Sequence, residues 1–114
     1  MFDTLISSIK TKPTLVICLG MQILASLGFE NKKTVGLDII NATVNKLETK
    51  LLLPHLGFNT IQCKYNNELF KGITNKEFYF MHSFEVKTND NILATTTYGK
   101  YKFVAAIQKK RVFG

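Results

Sequence analysis

The sequence has no apolar run long enough to cross a bilayer. Its longest, around Leu15–Leu19 and Leu51–Pro54, fall well short of the ~20 residues a spanning helix needs. No basic start leads into an apolar stretch and a small-residue cleavage site, so no secretory leader is expected. Cysteine is sparse, with Cys18 and Cys63 alone. Two thiols without a leader fit a reducing compartment, and a cytoplasmic location is expected. These cysteines and the two histidines, His55 and His82, show no metal-ligand spacing, so neither a metal nor another cofactor is expected. Acidic residues are also few, 8 against 15 Lys and Arg, for a formal net charge of +7. A nucleic-acid partner would call for clustered basic residues. They are scattered instead, with only Lys109-Lys110-Arg111 and Lys32-Lys33 in short runs and no stacking aromatics interleaved. The charge reads as a solvated lysine surface, with no nucleic-acid or membrane partner. Repeats, linkers and low-complexity segments are missing too.

What remains is an ordinary globular composition: 114 residues, 46% hydrophobic and 20% charged, enough for one small domain with a core. Phe2, Leu5, Ile6 and Ile9 share a helical stripe, which predicts an amphipathic helix ending before Pro13. Thr14–Cys18 is a continuous apolar run, the pattern of a strand buried on both faces. Leu19–Leu27 is apolar nearly all round and predicts a helix, with Gly28 as its stop. Helix, buried strand and helix in that order predict an α/β fold with a mostly parallel central sheet flanked by helices. From about Thr34 the texture changes to an antiparallel, β-rich second half. Short strands are predicted at Ala42–Leu47, Thr60–Cys63, Phe78–Lys87, Ile92–Tyr98 and Phe103–Gln108. Asn89-Asp90-Asn91 reads as a hairpin turn. The chain starts on a helix with no strand before it, and Val112-Phe113-Gly114 reads as a strand beginning. Residues 1–114 are therefore expected to be a single partial domain.

The chemistry concentrates at Cys18. A cysteine between a strand and a helix sits where the helix N-terminus can stabilise a thiolate. Such a turn exposes the sulfur and leaves the next backbone N–H, that of Leu19, free as an oxyanion donor. Gly20 is the small residue that lets turn and helix approach. The alternative is an inert thiol ending a core strand, because free cysteine often behaves as a small hydrophobe. Spacing alone leaves both open.

Surrounding residues narrow the choice. The run Pro13-Thr14-Leu15-Val16-Ile17-Cys18-Leu19-Gly20-Met21-Gln22 resembles the nucleophile segment of the class I (triad) glutamine amidotransferases. Leu53-Pro54-His55-Leu56-Gly57-Phe58-Asn59 is similar to the Pro-His-Met-Gly-Trp-Asn segment of one branch, the glutaminase subunits of imidazole glycerol phosphate synthases. Phe78-Tyr79-Phe80-Met81-His82-Ser83-Phe84 resembles that branch's Phe-Tyr-Phe-Val-His-Ser-Tyr strand. Tyr98-Gly99 and Lys102–Lys109 resemble its C-terminal hairpin. The matches run in collinear order over essentially the whole chain.

The resemblance implies a flavodoxin-like amidotransferase fold and a mechanism. Cys18 would be the nucleophile and Leu19 N–H an oxyanion donor. Gln22 and Glu30 would hold L-glutamine, Glu30 through its α-ammonium group, and the backbone of Ser83 and Phe84 would bind its α-carboxylate. Ammonia would pass to a (β/α)8-barrel cyclase subunit for histidine synthesis. Pro54, His55, Gly57, Phe58, Asn59 and Tyr79 would lie at that contact, with Pro54–Asn59 as a loop. Phe58 stands in place of the branch's tryptophan. Val16 stands where the family's elbow has glycine, and its β-branched side chain is expected to crowd the turn. The family's second oxyanion donor, in a Pro-Gly-Val-Gly loop, would lie before Met1. Its catalytic His and Glu, in a Gln-Phe-His-Pro-Glu segment, would follow Gly114. The chain alone is therefore expected to be inactive. His82 reads as a ring packed in an aromatic layer rather than a substitute base, and Cys63 as structural. Two alternatives stay open: a paralogous glutaminase serving a sugar-modifying synthetase, and a non-catalytic remnant that only binds its partner.

Overall fold

The computed structural model describes residues 2–114. Helix α1 (Phe2–Thr11) stops before Pro13, as expected, but only Ile9 of its apolar stripe is buried. There follow β1 (Thr14–Leu15), α2 (Leu19–Ile23), β2 (Leu27–Gly28), β3 (Thr34–Val35), β4 (Thr43–Lys46), β5 (His55–Thr60) and β6 (Gln62–Cys63). The second half holds β7 (Glu77–His82), β8 (Phe84–Lys87), β9 (Ile92–Tyr98), β10 (Tyr101–Lys109) and β11 (Val112–Phe113).

These strands form three sheets: β1-β11-β10-β9-β6, β3-β2-β4-β8 and the ribbon β5-β7. Among the described residues only β1–β11 and β2–β4 pair in parallel; the other pairings are antiparallel. Helices and strands are mixed, and the second half is antiparallel, but the mostly parallel central sheet is met at those two pairings alone. Parallel neighbours need long crossovers, whereas most connections here are short turns. The β9–β10 hairpin closes through Gly99, at φ 62°, a left-handed position that favours glycine.

Several local expectations give way to tertiary contacts. The Thr14–Cys18 strand shrinks to the two-residue β1 at a sheet edge, and Leu15 and Ile17 face outward at 59% and 77% exposure. Helix α2 ends at Ile23 rather than Leu27, and Gly28 lies in β2. The cause is competition for carbonyls: Ile23, Leu24 and Ala25 accept N–H bonds from Leu37, Ile39 and Asp38 at 2.8, 2.9 and 3.2 Å. That close crossing needs Gly36, where a Cβ would fall 2.0 Å from the Ala25 carbonyl oxygen. Pro54–Asn59 is not a loop, since His55 onward forms β5. Phe78–Lys87 breaks at Ser83 into β7 and β8. The Asn89–Asn91 turn is no hairpin, because β8 pairs with β4 and β9 with β10; it carries the chain between sheets.

Two apolar clusters form the interior. One gathers Ile9, Leu24, Ile40, Val44, Val86 and Ile107; the other gathers Ile61, Leu93, Ala94 and Ala106. Neighbouring residues Ala106 and Ile107 of β10 serve different clusters, as expected of a strand covered on both faces. Among the described residues no helix is long and apolar enough to cross a membrane.

Candidate active site

Cys18 caps α2 with φ 56° and ψ −115°. A β-substituted residue rarely adopts that conformation, and such strain gathers at functional turns. The thiol is exposed, not sealed in the interior. Gly20 and Met21 N–H groups bond the Ile17 and Cys18 carbonyls, both at 3.0 Å, closing the turn. Leu19 occupies the first helical position, so its N–H has no acceptor within the helix. With five residues, α2 acts on the sulfur through the N–H groups of about one turn rather than through a long dipole.

Val16 packs close against Gly20 of this turn and against Gly114. A Cβ at Gly20 would stand 3.1 Å from Val16 Cβ, and one at Gly114 would stand 3.1 Å from Val16 Cγ2. Val16 therefore fills space that two glycines leave open.

The sulfur borders a cavity of about 330 Å³ lined by Gln22, His82, Phe84 and Glu85, with Met21 and Phe103 as apolar walls. Gln22 is one α2 turn from Cys18. Glu30 is exposed beyond β2 and is not among the lining residues. Ser83 sits at the β7–β8 break, its carbonyl accepting Leu47 N–H at 3.0 Å. Cys63 lines a different cleft, on β6. Among the described residues no cluster of His, Cys, Asp and Glu is arranged to hold a metal.

His82 borders the cavity but has no nitrogen to spare. Its Nδ1 is 2.9 Å from the Phe84 carbonyl oxygen and its Nε2 is 3.0 Å from His55 Nδ1. A carbonyl only accepts, so His82 carries its proton on Nδ1 and accepts at Nε2. His55 therefore donates from Nδ1, and its Nε2 accepts from Asn59 Nδ2 at 3.0 Å. The same amide nitrogen donates to the Thr97 carbonyl at 2.7 Å. The pair lies in an aromatic layer, with His55 stacked on Tyr98 at 4.2 Å and on Phe80 at 5.3 Å. Burial, helped by the His82 charge, lowers the His55 pKa from its ordinary value.

The β5–β7 ribbon has two unlike faces. His55, at 2% exposure, is buried, and Gly57 and Asn59 lie half-buried on the same inner side. These three face the interior rather than the outer side of the ribbon. The outer face shows Leu56 opposite Met81 and Phe58 opposite Tyr79, all more than half exposed, with the Phe58 and Tyr79 rings 5.2 Å apart. Pro54 is exposed beside this face.

Sequence reasoning missed Glu85. It is buried on β8, borders the Cys18 cavity and accepts the Tyr101 hydroxyl. Burial raises its carboxyl pKa, opposed by the Tyr101 hydrogen bond and the Lys87 charge. Tyr101 is pushed up to about 12, by burial first and by Glu85 second. The available signal was a lone acid in the apolar run Phe84-Glu85-Val86.

A family model described as glutamine amidotransferase class-I matches residues 2–114. Imidazole glycerol phosphate synthase subunit HisH 1 of Campylobacter jejuni is 42% identical over 108 residues, covering 92% of this chain and 54% of its own length. Imidazole glycerol phosphate synthase subunit HisH of Pelagibacter ubique is 40% identical over 109 residues, 90% of this chain and 52% of the relative. The subunit of that name from Methanosarcina barkeri is 46% identical over 91 residues, 77% of this chain and 45% of the relative. The chain thus spans about half the length of the curated relatives it matches.

Proposed function

Because this chain belongs to the class-I glutamine amidotransferase family, we propose that it serves a glutaminase that feeds ammonia to imidazole glycerol phosphate synthase in histidine biosynthesis. The observation that carries the reading is Cys18, held exposed at φ 56° on a strand-to-helix turn beside a cavity of about 330 Å³. The names of the relatives support the histidine pathway over a sugar-modifying synthetase.

In the proposed step the Cys18 thiolate attacks the side-chain amide carbon of glutamine, forming a C–S bond and an oxyanion. The Leu19 N–H stabilises that oxygen. Collapse breaks the C–N bond and releases ammonia; water then cleaves the thioester to give glutamate. Gln22, Glu30 and the Ser83–Phe84 backbone hold the substrate in this reading. The proton transfers need a histidine with a free nitrogen, which His82 lacks. The 114 residues alone are accordingly expected to turn over negligibly. The apolar face of Leu56, Phe58, Tyr79 and Met81 fits a docked (β/α)8-barrel cyclase. A cytoplasmic location and a flavodoxin-like, mostly parallel sheet for the family domain belong to the same reading.

A glutamine-like electrophile, such as a γ-diazoketone amino acid, tests the site without a base. Mass spectrometry is expected to find the adduct on Cys18, with glutamine protecting and asparagine not. Equal labelling of Cys63, or no protection by glutamine, would falsify the assignment.

A further inference from the structure

The hydrogen-bonded chain through His55 and His82 ends on a carbonyl at each side, Thr97 O and Phe84 O. Both ends only accept, so every proton between them has one allowed place. Asn59 donates from Nδ2, His55 from Nδ1 and His82 from Nδ1. Turning the Asn59 amide would set its oxygen against Thr97 O. A further proton on His82 Nε2 would face the His55 N–H across 3.0 Å, and one on His55 Nε2 would face the Asn59 amide.

The far end of this chain is a peptide group in the cavity. Leu47 N–H bonds Ser83 O, and Lys46 stands opposite Phe84 in the antiparallel β4–β8 pair. Hydrogen-bonded and non-bonded positions alternate along such a pair, so both backbone polar groups of Phe84 point away from β4. They lie on the free edge of β8, and Phe84 and Cys18 line the same cavity. His82 takes the carbonyl and leaves the Phe84 N–H to donate.

We infer that His55 and His82 are a positioning pair: locked in one arrangement of protons, they fix the Phe84 peptide so that its N–H meets the carboxylate of an amino-acid substrate. The inference rests on the glutaminase reading for the identity of that substrate. Acid is expected to break the arrangement, because either ring gains a proton only by losing a partner. The groups facing the pair are few. From β9 there is Tyr98, from β10 Phe103, from β7 Phe80, and from β8 the buried Glu85 with its Tyr101 partner; Cys18 shares the cavity, and Lys46 stands across from Phe84.

Long-range ¹H–¹⁵N spectra of the 114-residue chain read the ring protons directly. Both histidines are expected as Nδ1–H tautomers at neutral pH, and glutamine affinity is expected to fall in acid as the hydrogen-bonded arrangement breaks. His82→Gln keeps a donor for Phe84 O and an acceptor for His55, so it is expected to bind glutamine as wild type does at neutral pH. His82→Phe keeps the ring volume, removes both bonds and is expected to weaken binding about tenfold. An Nε2–H tautomer at His82, or wild-type affinity in His82→Phe, overturns the pair and leaves the glutaminase reading standing. Two Nδ1–H tautomers in a chain that binds no glutamine at any pH overturn the substrate reading instead.

Discussion

The two faces of the β5–β7 ribbon differ in kind. Its inner side sets His55, Asn59 and His82 among the rings of Phe78 and Phe80, and its outer side carries Leu56, Phe58, Tyr79 and Met81. Polar groups tolerate the interior because they bond one another and two carbonyls, so none is left unpaired. Apolar groups on the outside have no such account within the chain. An exposed patch of large side chains marks a surface that another molecule covers. One pair of strands thus separates the proposed internal positioning from the proposed external docking, through the period-two alternation of a strand.

Four outcomes test that separation. The largest is expected for His55→Ala, which removes a buried ring stacked on Tyr98 and Phe80 and strands the acceptor on His82. A loss of about 3 kcal/mol is expected from the denaturation midpoint; a loss below about 1 kcal/mol would mean that the inner face is no internal core. On the outer face, Phe58→Ser with Tyr79→Ser is expected to leave stability within about 1 kcal/mol. The same pair is expected to weaken binding to the proposed barrel subunit by about 2 kcal/mol or more in calorimetric titration. Unchanged affinity would remove the docking role.

A smaller effect is expected at the edge between the faces. Asn59→Ala deletes the bonds to His55 and Thr97, but the site is half-buried and water can replace the amide. About 1 kcal/mol is expected, and a cost as large as that of His55→Ala would mean that Asn59 is sealed from solvent. The last test is pH. The folded His55 pKa lies below its ordinary value, so the unfolded chain takes up the proton first as pH falls. Stability from this group is present above about 6.5 and is lost as pH drops toward the lower folded value. Glu85, raised by burial, has the opposite sign in the carboxylate range, favouring the fold less as pH rises there. Midpoints that do not fall between neutral and mildly acid pH would count against a buried neutral pair.

Cys18 was legible in the sequence because a strand-to-helix turn bearing a thiol has a local signature. The strands of the β9–β10 hairpin were legible too as short apolar runs, and their pairing through the family resemblance. Other features were not local. Helix α2 stops early because residues from 37 to 40 claim its last carbonyls, a contact across the fold. Thr14–Cys18 looked buried because its residues are apolar, yet β1 has a single neighbour and exposes Leu15 and Ile17. The segment from Pro54 to Asn59 was read as a loop from the resemblance; Gly57 and Asn59 disfavour strands, and pairing with β7 makes a strand of it.

By itself, then, the sequence determined the local frame of the proposed chemistry: a thiol on a tight strand-to-helix turn, a glutamine one helical turn on, and strand segments ordered as in a known family. Short-range conformational preference suffices for the turn, because it acts within a few residues; the collinear family resemblance supplied the reading of the thiol as a nucleophile. Tertiary structure alone decided which ribbon face is wet, how the ring protons of His55 and His82 are fixed, and that a buried Glu85 borders the cavity. Those properties depend on partners 27 residues apart in the case of the two histidines and on desolvation by surrounding strands, which no local window contains.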